Sequence, residues 1–185
     1  MVNFAINGAL GKMGRAIARL ATDYANLELT AAIDVNARSA EPGSGFTSQI
    51  MRENLQSADL KNIHVLIDFS IPEATIKAIK ICEEFKIPMV IGTTGFTQDQ
   101  EYILNRASEQ IPILYSTNMS IGVNLLFHLT QIAAGVLKGR KFQAEMMEIH
   151  HGRKKDAPSG TAKTLEKILL ESLSLNENVT YGRSG

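Results

Sequence analysis

The densest gathering of reactive side chains lies between Glu148 and Ala162, where the chain reads Glu-Ile-His-His-Gly-Arg-Lys-Lys-Asp-Ala-Pro-Ser-Gly-Thr-Ala. His150, His151, Arg153, Lys154 and Lys155 sit in a loop that leads through Pro158 into a helix start at Ser159-Gly160-Thr161. Backbone N–H groups at a helix start, with imidazole and ammonium donors beside them, make an anion trap. A histidine exchanges protons near neutral pH, and a lysine can donate to charge developing in a transition state. Three other uses of the same residues compete: a solvated strand end, a basic nucleic-acid patch, or a metal pair. A nucleic-acid patch needs a wider basic stripe or interleaved aromatics, and neither is present. A metal site lacks a third ligand at a recognisable spacing, so no metal is expected. On pattern alone the solvated loop stays open.

A second constellation stands near the start. Gly8-Ala9-Leu10-Gly11-Lys12-Met13-Gly14 is a G-x-x-G-x-x-G variant of the dinucleotide fingerprint, placed between an apolar run and an amphipathic stretch. Residues without Cβ let the backbone turn tightly and approach a pyrophosphate, which the positive end of the following helix attracts. Asp34 follows Gly14 by 20 residues, at the end of the next apolar run, where a carboxylate can accept hydrogen bonds from the adenosine ribose. A tight turn with an unrelated surface aspartate competes with this reading, but strand, turn, helix and acid in that order favour the nucleotide. Asp34 repels a 2′-phosphate and Val35 brings no cation, so NADH is expected to serve at least as well as NADPH. Lys12 and Arg38 are the cations that could compensate.

Those residues need a frame. Short apolar runs alternate with amphipathic stretches: strands over 2–6, 27–34, 63–69, 88–91 and 111–115, helices over 13–25, 72–85 and 97–108. This is the pattern of a doubly wound parallel sheet with right-handed crossovers. In the helix after the third of these strands, Ala74, Ile76, Ala78, Ile79, Cys82 and Phe85 are the expected buried positions. Residues 35–60 read as a polar connection with one helical turn. Ligands in open α/β sheets lie along the rim formed by the strands' C-terminal ends. Three loops leave that rim: Asp68-Phe69-Ser70-Ile71-Pro72, Gly92-Thr93-Thr94-Gly95 and Ser116-Thr117-Asn118-Met119. Each is also an ordinary strand-to-helix connection. The texture changes at residues 118–122, with a long helix over 120–137, an extended segment over 141–149 and an amphipathic helix over 160–173. The domains expected are 1–119 for the dinucleotide and 120–185 for the substrate.

Composition sets outer bounds. The 185 residues are 44% hydrophobic and 21% charged, those of an ordinary globular protein, and 19 basic residues balance 19 acidic ones. No overall field draws a polyanion or a membrane surface, so any anion must be bound locally. Cys82, the one cysteine, has no internal disulfide partner. The start has no basic region ahead of its apolar stretch, which Asn7 and Gly8 interrupt, and the apolar run 121–137 is broken by Asn124, His128, Thr130 and Gln131. A cytoplasmic protein without membrane or nucleic-acid partners is expected.

In order along the chain, Gly8 to Gly14, Asp68-Phe69-Ser70-x-Pro72, Gly92-Thr93-Thr94-Gly95, Asn118-Met119-Ser120-Ile121-Gly122-Val123-Asn124 and the run from His150 to Ala162 match the motifs of one family. The chain resembles the 4-hydroxy-tetrahydrodipicolinate reductase (dihydrodipicolinate reductase) family of diaminopimelate and lysine biosynthesis. The resemblance implies hydride delivery from NADH or NADPH to C4 of a small cyclic dicarboxylate, with loss of water. By position it implies that Gly8, Ala9, Leu10, Gly11, Lys12 and Met13 hold the pyrophosphate and Asp34 the ribose. Gly92, Thr93, Thr94, Ser116, Thr117, Asn118 and Met119 would border the nicotinamide. His150 and Lys154 would handle protons, His151 would touch substrate, and the Gly160 and Thr161 amides would grip a substrate carboxylate. Val35 departs from an arginine common at its position, and Met119 from an aromatic. The match ends at Tyr181-Gly182-Arg183, where family chains continue with further strands and a returning helix. A C-terminally incomplete α+β substrate-binding and tetramerisation domain is therefore expected, the homotetramer belonging to the complete family chain. A related NAD(P)-dependent oxidoreductase of amino-acid metabolism and a non-catalytic nucleotide-binding fragment are the alternatives.

Overall fold

The computed structural model describes residues 1–39, 46–150, 152, 157–175 and 179–182. The chain forms two compact units, Met1–Ser116 and Thr117–Gly185.

Among the described residues, six strands build the first unit: β1 (Val2–Asn7), β2 (Leu27–Ile33), β3 (Met51–Arg52), β4 (Val65–Asp68), β5 (Met89–Ile91) and β6 (Ile113–Tyr115). They lie in the order β3-β2-β1-β4-β5-β6, every neighbouring pair parallel. The connections carry α1 (Lys12–Ala21), α2 (Pro72–Phe85) and α3 (Gln98–Ser108). This is the doubly wound order, and it reverses between β1 and β4, where such sheets bind nucleotides. Both faces of the sheet are covered, which is why β1 is continuously apolar at Phe4-Ala5-Ile6 instead of alternating. Ile33, Leu66, Ile79, Met89 and Ile91 fill one side of the core, and Phe4, Ile6, Ala9 and Ala32 the other. Each fully buried side chain of Leu or Ile size adds roughly 1.5–3 kcal/mol.

Local chemistry sets the helix ends. Thr97 and Gln100 close a reciprocal capping box at the start of α3. Pro72 opens α2 where a missing N–H costs nothing. α1 stops at Ala21, four residues before the expected end, because Thr22 turns its hydroxyl onto the Arg19 carbonyl at 2.8 Å and the next amides bond three residues back. In α2 the buried residues are Thr75, Ala78, Ile79, Ile81 and Cys82, whereas Phe85 is exposed. The largest departure from expectation lies within 35–60. Among its described residues, beside 3₁₀ turns at Ala37–Ser39 and Leu55–Ser57, this connection holds β3, which pairs with β2 through Ala32–Met51 and Ile33–Arg52. A two-residue strand has no periodicity of its own, and only its partner edge creates it.

The second unit contains α4 (Ile121–Leu137) and α5 (Gly160–Leu173), which pack on each other. Among the described residues it holds no strand. The expected extended segment forms no ladder, since a strand requires a partner. Ile121, Leu125, Leu126, Leu129, Ile132 and Val136 of α4 are exposed. No helix of the described residues is long and apolar enough to cross a membrane.

Candidate active site

The glycine turn grows directly out of β1. Gly8 adopts φ of +79°, and a Cβ there would stand 2.5 Å from the Phe69 carbonyl oxygen, so neither backbone nor space admits a side chain. Its N–H and that of Ala9 donate to the Ile33 carbonyl at 2.9 and 3.0 Å, which ties the turn to the end of β2. Gly14 lies so close to the Gly8 and Ala9 backbone that a Cβ would collide with both. α1 therefore begins tight against the turn. Its start carries no side-chain cap and no acidic residue in the first turn. The first N–H groups of a helix lack intrahelical partners and are donors that an anion can use.

Asp34 is half-buried beside this turn. One carboxylate oxygen accepts from Leu10 N–H at 3.0 Å and the other from Asn36 N–H at 3.0 Å. An ionised carboxylate has about four acceptor positions, so hydroxyl groups can still be received. Val35 is exposed. Arg38, the nearest expected cation in sequence, is paired with Glu53 at 2.5 Å.

At the reversal point stands a residue whose weight the sequence understated. Asp68 ends β4 with no exposed surface and gathers the rim around itself. Asn7 Nδ2 donates to its Oδ2 at 2.8 Å. Its Oδ1 receives the Ser70 N–H at 3.0 Å and the hydroxyls of Ser70, Thr75 and Thr93 at 2.7, 3.0 and 2.7 Å. One carboxylate thus joins the ends of β1 and β4, the first turn of α2 and the loop after β5. Thr93 is buried with its hydroxyl on this carboxylate, while Thr94 beside it is exposed, so the two threonines face different ways. The Phe69 ring lies against Gly92, leaving no room for a side chain there. The available signal was an acid closing the apolar run Val65-Leu66-Ile67, followed by Ser70 and Thr75. Burial and the neighbouring Asp68 charge push the Cys82 thiol up to about 12, which removes it from thiolate chemistry.

In the second unit the segment after Ser116 is bound to the start of α5. Asn118 Nδ2 donates to the Thr161 hydroxyl at 3.2 Å, and the Thr117 and Thr164 hydroxyls meet at 2.9 Å. The Asn118 side-chain oxygen receives the Ser120 N–H at 2.9 Å, and Asn124 bonds back to the Asn118 carbonyl at 2.8 Å. Met119 is exposed. Ser159 caps α5 by accepting the Ala162 N–H at 3.0 Å, which leaves the earlier amides of Gly160 and Thr161 without intrahelical partners. His150 Nε2 lies 2.9 Å from Glu148 Oε2, and Glu148 Oε1 accepts the Ser159 N–H at 2.9 Å. Hydrogen bonds from the Ser159 side chain, from His150 and from the Ser159 backbone lower the Glu148 carboxyl to about 2. Glu148 opened the reactive stretch in the sequence, yet nothing in its spacing marked it as the group that links the histidine to the helix. His151 and Lys154 lie outside the described residues, as do Arg153, Lys155 and Asp156.

Comparison with known proteins draws both halves together. Residues 2–119 match the model for the dihydrodipicolinate reductase N-terminus, and 122–182 that for its C-terminus. The chain is 40% identical over 193 residues to the 4-hydroxy-tetrahydrodipicolinate reductase of Psychrobacter arcticus, covering 100% of itself and 69% of that protein. It is also 40% identical over 193 residues to that of Aquifex aeolicus, covering 72% of the relative. A dipicolinate-bound dihydrodipicolinate reductase from Paenisporosarcina sp. TG-14 superposes with a TM-score of 0.75 at 25% identity, over 100% of this chain and 71% of that one.

Proposed function

The chain belongs to the dihydrodipicolinate reductase family, and on that premise we propose how its residues carry out the reduction of 4-hydroxy-tetrahydrodipicolinate for which its relatives are named. It is an oxidoreductase of diaminopimelate and lysine biosynthesis that uses NAD(P)H. The glycine turn fits a dinucleotide: Gly8 and Gly14 clear the approach, and the uncapped start of α1 offers donors to a pyrophosphate. Bound there, a reduced nicotinamide supplies the hydride. Gly8 to Met13 hold the diphosphate in this reading and Asp34 the ribose, while Gly92 to Thr94 and Ser116 to Met119 border the ring.

The observation that carries the substrate assignment is the Asn118–Thr161 bond. It links the segment assigned to the nicotinamide with the helix start assigned to the substrate. The Gly160 and Thr161 amides take a substrate carboxylate, and His151 makes a further contact to the substrate. Once the C4 hydroxyl has left as water, hydride delivered to C4 would leave negative charge on the substrate's conjugated carbon–nitrogen system, which Lys154 would meet with a proton while His150 exchanges protons beside it. A planar pyridine-2,6-dicarboxylate presents the same carboxylates and competes with substrate.

NADH serves at least as well as NADPH in this reading, because Asp34 is acidic, Val35 brings no cation and Arg38 is engaged by Glu53. Rates with the two reduced nicotinamides at equal concentration test this, and a strong NADPH preference overturns it. A homotetramer in the cytoplasm belongs to the same proposal, with light scattering as its measurement.

The deciding experiment is Lys154→Met, assayed with substrate generated in situ by the preceding synthase. Turnover falls by roughly 10²–10⁴, the range of one acid–base group, while nucleotide affinity is retained. Unaltered turnover removes Lys154 as the proton donor.

A further inference from the structure

We infer that Glu148 is the positioning residue for His150: its carboxylate holds the imidazole by Nε2, anchors it to the start of α5 through the Ser159 N–H, and commits Nδ1 to proton exchange. The inference rests on the reading that His150 works beside the α5 amides. Its geometry is two contacts of one side chain, Oε2 to His150 Nε2 at 2.9 Å and Oε1 to Ser159 N at 2.9 Å. With its carboxyl lowered to about 2, Glu148 is ionised at neutral pH and can only accept hydrogen bonds. His150 Nε2 must then carry a hydrogen. In the neutral ring the other nitrogen is bare, so a proton enters or leaves His150 through Nδ1. Because the second oxygen is fixed to the residue that caps α5, the ring is registered against the helix whose first amides take the carboxylate.

A merely structural acceptor for Ser159 would serve equally well as an amide. Glu148→Gln separates the two roles, because its single carbonyl oxygen can remain on Ser159 only if its NH₂ faces Nε2, which demands the opposite tautomer. The measurement on the unaltered chain is the ¹⁵N–¹H correlation of the His150 ring at about pH 8.5, where an ordinary imidazole is neutral. Hydrogen on Nε2 is expected there, and on Nδ1 in Glu148→Gln. Hydrogen on Nδ1 in the unaltered chain overturns the inference without any variant. In turnover, Glu148→Gln loses roughly tenfold in kcat, less than a whole acid–base group contributes. Nucleotide KM is unchanged, and no further loss appears when the variant is combined with His150→Gln. Full turnover in Glu148→Gln, or a loss that persists in the His150→Gln background, overturns the inference alone. Should His150→Gln itself keep the full rate, the role of His150 fails first and this inference falls with it.

Discussion

The two candidate binding regions are held by opposite means. In the first unit the rim is fixed from within: a glycine turn that admits no side chain, and the fully buried Asp68 receiving donors from Asn7, Ser70, Thr75 and Thr93. In the second, Glu148 and His150 are exposed, and among the described residues Glu148 links His150 to the buried Ser159 that caps α5. Burial makes the first arrangement strong and costly to disturb, because a donor stripped of its partner in a dry site loses the full desolvation energy. Exposure makes the second cheap in stability, yet it leaves the imidazole in water where its proton can move. A nucleotide needs a rigid backbone cradle, whereas a proton-transfer group needs orientation with access.

That contrast can be broken from either side. The largest stability loss is expected for Asp68→Asn, where an amide must face donors that a carboxylate accepted. Chemical denaturation should show about 3 kcal/mol of destabilisation, with weaker nicotinamide nucleotide binding. A loss below about 0.5 kcal/mol, the level of an ordinary surface change, would show that the hub does not hold the rim. Gly8→Ala comes next, at about 2 kcal/mol, from forcing a Cβ into positive φ against the Phe69 carbonyl. Calorimetric titration with the nucleotide should find binding reduced more strongly than stability alone explains.

The smallest effect belongs to the exposed side and is read as a pH profile. Glu148 falls from an ordinary value of 4.5 to about 2, so its contribution is complete above about pH 4.5 and disappears as the pH drops toward 2. Melting temperatures of the unaltered chain and Glu148→Gln should differ at neutral pH and converge by about pH 2. A gap that stays constant across that range would mean that the charge is not what links the cap to the ring.

Much of this was legible in residue order. Gly8, Gly11 and Gly14 announce their turn because missing side chains are a local property, and the apolar stretches Phe4-Ala5-Ile6 of β1 and Val65-Leu66-Ile67 of β4 are continuous because parallel strands are covered on both faces. The gathering of His150 and Ser159-Gly160-Thr161 in one stretch was equally visible, since a helix start is written in its cap. β3 was not, because two residues become a strand only when β2 offers an edge. Nor were the tasks of Asp68 and Glu148 readable. Asp68 bonds to Asn7 from 61 positions away and to Thr93 across 25, and Glu148 reaches Ser159 across 11. Spacing along the chain records what neighbours can do together. Which carboxylate receives which distant donor depends on where the chain returns, and only the folded backbone decides that.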